Sequence, residues 1–278
     1  MLTTHAVTKK LQPYISFFYE ILWEQKDYKN NIHETVLPSG KGFMVFQYKG
    51  RFRGSINNEE RFVPKFYTIG QQTKNYILFS DSETTALIGV AFKPTGLYHF
   101  FGMDISKFTN NPKDSQIILG ADLKDFEGLY KNENDSIKKI KMVEQLLVEQ
   151  LDNKRFVPNF IDIAIDIMDQ SLGCYRITEI VKKLNVSERY FQKKFKEITG
   201  ISPSVYNRIV RFNNLFSQYN IEDKNNHQTL LALFNYYDLA HFSKDFKKYC
   251  GESPKQFHLD KFKFIKEAFV NNPIFIKN

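Results

Sequence analysis

Along the first part of the chain, hydrophobic and polar positions alternate in short runs. Residues 33–37 end in Pro38-Ser39-Gly40, and residues 43–48 (FMVFQY) stop at Lys49-Gly50. Runs at 66–69, 76–79 and 85–93 follow, the last closed by Pro94-Thr95-Gly96. Short β-type runs bounded by turn residues predict an antiparallel sandwich or barrel. Residues 10–30 are rich in aromatics and leave strand and helix both open. Residues 97–130 read as short helices and loops, and 136–151 as the clearest helix of this part. Ile140, Val143, Leu147 and Leu151 form one apolar face on it. That face either packs on its own sheet or forms a dimer seam; the spacing allows both.

Residues 152–158 (DNKRFVP) are a short polar join and the best boundary. Beyond them the period becomes helical. Residues 159–171 predict a helix with Phe160, Ile163, Ala164 and Ile167 turned inward. The stretch from Ser187 to Tyr206 then recurs 51 positions later, from Asp238 to Phe257. Phe191 meets Phe242, Phe195 meets Phe246, Gly200 meets Gly251, and Ser202-Pro203 meets Ser253-Pro254. Ser187 and Asp238 stand where N-cap oxygens satisfy first-turn N–H groups. The Phe pairs at i,i+4 put two rings on one face. Gly200 and Gly251 end their helices, and Pro opens the next. Shorter apolar helices, 178–184 and 229–234, precede each cap across a turn holding Asn185 or Asn235, residues that tolerate the left-handed conformation. A short helix, a tight turn and a capped helix with a basic face make a helix-turn-helix, here in two copies.

The second copy, N-Y-Y-D-L-A-H-F-S-K-D-F-K-K-Y-C-G-E-S-P-K-Q-F, resembles the AraC/XylS family pattern G-F-x-D-x-S-x-F-x-R-x-F-K-x-x-x-G-x-[ST]-P-x-x-[YF]. Asn235, Ala240 and Lys244 depart from it, standing where Gly, Ser and Arg are usual. The resemblance runs from Pro158 to Lys261. It implies an α+β, two-domain chain: a β-rich, cupin-like first domain over 1–157 with sensory or dimerising duty, and an all-α DNA-binding domain over 158–261. The two helix-turn-helix modules of that domain fall at about 177–200 and 229–251, joined by a linker helix, and 262–278 is an extension. The apolar residues of this extension predict that it docks somewhere.

For the first module, Arg189, Gln192 and Lys193 are the candidates for base edges and Lys196 for phosphate. Arg and Gln pair bidentately with guanine and adenine in the major groove. The resemblance maps the second contact face onto Leu239, Ala240, Ser243 and Lys244, a face with fewer donors, because Lys lacks the Arg fork. Arg208, Arg211, Lys247 and Lys248 are candidate phosphate neutralisers. The linker helix, read over 203–220, carries Val205, Ile209, Phe212 and Phe216 as its apolar stripe. His241 reads as a packing residue.

Composition changes little. The net charge of +8 leans toward the residues after 157 and suits a nucleic-acid partner without demanding one. Two cysteines, Cys174 and Cys250, imply no disulfide framework and fit a reducing cytoplasm. No leader-like h-region or membrane-length apolar run is read. The six histidines are scattered, so no metal, cofactor or catalytic group is expected. The resemblance thus implies a non-enzymatic regulator, an activator that recruits RNA polymerase and answers to a small-molecule effector or to dimerisation through the first domain. Two alternatives stay open. One is a DNA-repair alkyl acceptor with an AraC-like module, which needs an activated cysteine. The other is a ligand-independent DNA binder controlled by a protein partner.

Overall fold

The computed structural model describes residues 1–28, 30–56, 59–151, 156–218, 231–271 and 275. Two antiparallel sheets form the first part. Six strands lie in the order β1 (Leu2–His5), β2 (Ile15–Glu24), β9 (Thr84–Phe92), β4 (Gly42–Lys49), β7 (Phe66–Ile69) and β10 (Lys113–Asp114). The second sheet has β3 (Ile32–Val36), β8 (Tyr76–Ser80), β5 (Arg53–Ile56) and β6 (Glu59–Phe62). The ambiguous 10–30 segment is thus a long strand, β2.

The central strands read as continuous apolar runs because both of their faces are covered. Side chains alternate between faces of a strand. Phe17, Tyr19, Ile21 and Trp23 of β2, with Phe43 and Val45 of β4, turn into the space between the sheets. Phe18, Met44, Phe46, Ile88 and Val90 turn the other way, against helices. Those helices are α1 (Gly96–Phe101), α2 (Gln116–Leu119), α3 (Asp122–Asn132) and α4 (Ser136–Gln150). Asp135 caps α4 by accepting from the N–H groups of Ile137 and Lys138.

This packing decides between the two readings of 136–151. Ile140, Val143, Leu147 and Leu151 are all buried against Phe46, Phe66, Phe126 and Tyr130 of the same chain. The proposed homodimer seam through 136–151 is corrected: its apolar face is consumed by its own sheet.

The second part is helical: α5 (Phe160–Gln170), α6 (Ile177–Leu184), α7 (Glu188–Thr199), α8 (Pro203–Gln218) and α9 (Leu239–Cys250). On α5 the inward face is Ile161, Ala164, Ile165 and Met168, whereas Ile163 is exposed. The sequence reading had the right helix turned by about a quarter turn. The polar join at 152–158 lies mostly outside the described residues, as do the connector at 222–227 and the start of the helix expected at 229–234.

The 262–278 extension docks in the β-rich part. Its described residues form a short helix at Lys263–Ile265 and a π-type turn through Lys266–Asn271. Phe264, Ile265, Ala268, Phe269 and Phe275 are buried with the inter-sheet residues. Among the described residues, no helix is long and apolar enough to cross a membrane.

Candidate nucleic-acid interface

Each module is built as its sequence dictates. α6 ends at Asn185, which takes φ +52, and the chain reverses there into α7. Ser187 caps α7, its hydroxyl accepting from the Tyr190 N–H at 3.3 Å. Gly200 ends α7 at φ +89. In the second copy, residues 231–233 are helical and Asn235 takes φ +53. Asp238 caps α9 by accepting from the His241 N–H at 2.7 Å, and Gly251 ends it at φ +85. The two turns share one backbone conformation, which an Asn side chain supports by local hydrogen bonding.

Burial then separates the faces. Phe191 and Phe195 of α7 and Phe242 and Phe246 of α9 are fully buried. Arg189, Gln192, Lys193 and Lys196 all stand exposed on α7, and Gln192 donates to the Glu188 carboxylate at 2.9 Å. On α9, Leu239, Ala240, Lys244, Lys247 and Lys248 are exposed and Ser243 is half-buried. The cation of Lys248 lies 5.3 Å from the Tyr249 ring centre, and burial lowers its pKa. His241 packs its ring against Tyr236, with centres 5.1 Å apart.

Arg208 and Arg211 are held differently. Arg208 of α8 is ion-paired with Asp245 of α9, a carboxylate with no exposed surface, and Tyr236 donates to the same group at 3.3 Å. The hydrogen bond to Asp245 raises the Arg208 pKa. Arg211 lies over the Tyr236 ring at 4.7 Å. Both guanidiniums bind the linker helix to the second module. They also line a polar cleft with Arg176, Thr178, Ser204 and Asn207 at the junction of the modules. The sequence reading missed Arg176, Ser204 and Asn207, because they belong to no repeat and meet only through the fold.

The linker helix is buried over more of its circumference than one stripe allows. Tyr206, Val210, Asn213 and Leu215 are covered as well as Ile209, Phe212 and Phe216, while Val205 is only half-buried. Part of that cover is the β-rich region: the Asn213 amide donates to the Pro38 carbonyl at 2.9 Å. The first module is joined to the same region elsewhere. The Thr109 hydroxyl donates to the Gly200 carbonyl at 2.8 Å. His99 lies 2.9 Å from the Asp162 carboxylate, which also accepts from Thr95 at 2.7 Å. Burial pushes Asp162 up, but the bonds from His99, the Asn159 N–H and Thr95 outweigh it and hold its pKa below the usual value. Close to this seam the Lys41 ammonium is fully buried and has no hydrogen-bond partner among the described residues; burial lowers its pKa to about 8.

Neither thiol is activated. Burial raises the pKa of Cys174, and raises that of Cys250 far more. Among the described residues no group of His, Cys, Asp and Glu could hold a metal ion.

Comparison with known proteins agrees with the modules. A helix-turn-helix domain model matches residues 180–259, and a model for a domain of unknown function (DUF6597) matches residues 3–113. The Msm operon regulatory protein of Streptococcus mutans serotype c (strain ATCC 700610 / UA159) is 37% identical over 83 residues, which span 30% of this chain and 29% of that relative. Among solved structures, ToxT from Vibrio cholerae is 10% identical with a TM-score of 0.46, covering 86% of this chain and 97% of that one. ToxT from strain SCE256 with a bound unsaturated fatty acid is 13% identical with a TM-score of 0.43, over 85% and 93%. The AraC-like transcriptional activator CuxR is 12% identical with a TM-score of 0.25, over 78% and 86%. Likenesses this faint are similarities of outline only. With two capped modules of one design and the matched domain model, residues 180–259 form an AraC-type helix-turn-helix domain.

Proposed function

We propose that the protein is a sequence-specific DNA-binding activator of the bacterial cytoplasm, divided at 157/158, in which the β-rich domain controls how the two modules meet a promoter. The observation that carries this reading is the pairing of matching left-handed Asn turns and side-chain caps with exposed, lysine-bearing faces on α7 and α9. Arg189, Gln192 and Lys193 read base edges; Lys196, Lys247 and Lys248 neutralise phosphates. Leu239, Ala240, Ser243 and Lys244 meet the second groove with methyl and phosphate contacts more than with base hydrogen bonds. Arg208 and Arg211, engaged within the fold, support the backbone contacts of the junction cleft instead of acting as free cations. Successive major grooves on one DNA face lie about 34 Å apart. Binding there recruits RNA polymerase.

The effector reading rests on the contacts that tie both modules to the β-rich region. A ligand shifts such an arrangement only by binding one state better than the other. The ligand-independent alternative lacks a specific supporting observation. The alkyl-acceptor alternative needs a low-pKa thiol, the opposite of what burial does to Cys174 and Cys250.

Selection of genomic fragments with the purified protein, followed by footprinting, tests the reading. The expected footprint covers about two major-groove turns per protomer and disappears for Arg189→Ala combined with Gln192→Ala. A footprint of that kind that survives the double substitution would overturn the residue assignment. No enrichment above non-specific binding, from the whole chain or from residues 158–278, would overturn the function.

A further inference from the structure

The space between the two sheets is filled by the end of the chain. Phe275 sits with its ring centre 4.9 Å from Phe17, 5.3 Å from Tyr19 and 6.1 Å from Phe43. Phe264 packs edge-on against Trp23 at 5.8 Å. These rings and Phe269 close a chamber whose other walls are Tyr19, Ile21, Trp23, Phe43 and Val45 of one sheet and Tyr76 and Leu78 of the other, leaving a cavity of only about 30 Å³. The sandwich does not complete its own core; a segment from the other end of the sequence does.

The polar contacts of this segment resemble those of a bound molecule. The Phe264 N–H donates to the buried Glu34 carboxyl at 3.1 Å, beside the Tyr28 hydroxyl, which donates to it at 2.7 Å. The Lys263 ammonium lies 4.6 Å from the Tyr28 ring centre and donates to the Asp27 carbonyl. The segment thus presents aromatic rings, one N–H donor and one cation. It is also tied directly to the second module: Phe262 stacks on Phe257 at 4.7 Å and 7°, and Phe257 packs on Phe246 at 5.1 Å.

We infer that the chamber is a ligand site whose resident occupant is the chain's own C-terminal segment, and that an aromatic amine exchanges with it, releasing the tether on the second module. The chemical class follows from Glu34. When the segment leaves, a buried carboxyl loses its N–H donor and the nearby Lys263 charge. An incoming molecule must replace both, because a buried carboxylate left with the Tyr28 hydroxyl alone is costly. Its body must be flat and apolar to occupy the volume vacated by Phe264, Phe269 and Phe275. This deepens the effector reading and rests on it.

The test uses the full chain and a variant ending at Lys261, with phenethylamine as probe and phenylacetate as the control of opposite charge. In the full chain, phenethylamine is expected to strip hydrogen-exchange protection from the amides of residues 264–268 while those of α5 and α7 keep theirs. The shortened variant is expected to bind phenethylamine about tenfold more tightly, because the competing segment is gone. Phenylacetate does neither, and Glu34→Gln weakens phenethylamine binding. Unchanged protection at residues 264–268 in concentrated phenethylamine would overturn the inference, whether or not the shortened variant folds. Equal responses to the two probes would overturn the amine class. None of these readouts involves DNA, so their failure is separable from failure of the footprint.

Discussion

Arg208 offers the sharpest test of how these residues divide between structure and recognition. As a free linker cation it would neutralise one phosphate, and its loss would reduce the slope of log K against log salt by about 0.9 at little cost to the fold. The structure instead pairs it with Asp245, a carboxylate with no exposed surface, which it meets through both Nη2 and Nε, the latter at 3.4 Å. Removing one partner of a buried pair leaves an uncompensated charge and costs about 3–5 kcal/mol. The Arg208 side chain keeps 34% of its surface exposed, and solvent screening discounts the figure, so the lower end, roughly 3 kcal/mol, is expected for Arg208→Ala. Urea unfolding followed by helical circular dichroism measures this; the sole tryptophan, Trp23, lies in the β-rich part and would not report on the second module. Replacing both partners, Arg208→Met with Asp245→Leu, is expected to recover most of the loss. Lys247→Ala serves as the exposed comparison: stability within about 0.5 kcal/mol of the parent and a slope lower by about 0.9. A stability loss under about 1 kcal/mol for Arg208→Ala, together with a reduced salt slope, would refute the structural assignment.

Three further outcomes are expected. Burial raises the Glu34 pKa to about 7, against the downward pull of Tyr28, the Phe264 N–H and Lys263. The folded protein therefore holds this proton longer than the unfolded chain, and stability falls as pH rises from the ordinary carboxyl range to about 7, by about 3 kcal/mol at most. Thermal melts of Glu34→Gln should lack that slope, and an unchanged slope would exclude Glu34 as its source. Lys41 shows the opposite sign of pH dependence: its pKa is lowered to about 8, so stability rises as pH passes from there toward the free-lysine value, and Lys41→Met should be more stable at neutral pH by up to about 3 kcal/mol. A destabilised Lys41→Met would show that the ammonium has a partner in solution. Gly200→Ala places a methyl carbon 2.6 Å from Thr109 Oγ1 at φ +89, whereas Gly102→Ala at φ +68 meets nothing within 4 Å. Both pay the left-handed conformation, about 1 kcal/mol, and Gly200→Ala should cost measurably more by denaturant midpoint; equal costs would remove the contact with Thr109 from the account.

The modules were legible in the sequence because their information is local and duplicated. A cap, an i,i+4 Phe pair and a terminal glycine each constrain neighbours within a few residues, and two copies 51 positions apart confirm one another. Five strand runs were read within one or two residues of their observed ends for the same reason. The failures share a different cause. α5 was rotated because its apolar residues run nearly round the helix, and tertiary contacts choose the face: Asp162 is engaged by Thr95, which precedes α1, and by His99 on it, which fixes which flank lies inward. The linker helix has more buried residues than its stripe because Asn213 is claimed by Pro38, 175 positions away. The docking of the C-terminal segment could be expected from its excess of Phe and Ile, but its destination is a long-range pairing that no periodicity encodes.

These same long-range contacts bear on regulation. The first module meets the β-rich region at Gly200 and Asp162, through Thr109, Thr95 and His99. The second meets it through the C-terminal segment, stacked on Phe257 at one end and bonded to Glu34 at the other. The two helices α7 and α9 are thus tied to the β-rich part by separate sets of bonds, in addition to the helix between them. DNA asks for one particular spacing and rotation of the two helices. A change at either set of bonds alters that geometry without touching Arg189, Gln192 or any other candidate contact residue. The C-terminal set is the better placed to respond to a ligand, because its rings line the chamber and its departure costs no bond of the first module. A tenfold change in DNA affinity needs only about 1.4 kcal/mol of difference between docked and released states. That is less than the burial of a single phenylalanine, about 1.5–3 kcal/mol, so a small imbalance between the docked segment and its replacement is enough to change DNA affinity tenfold.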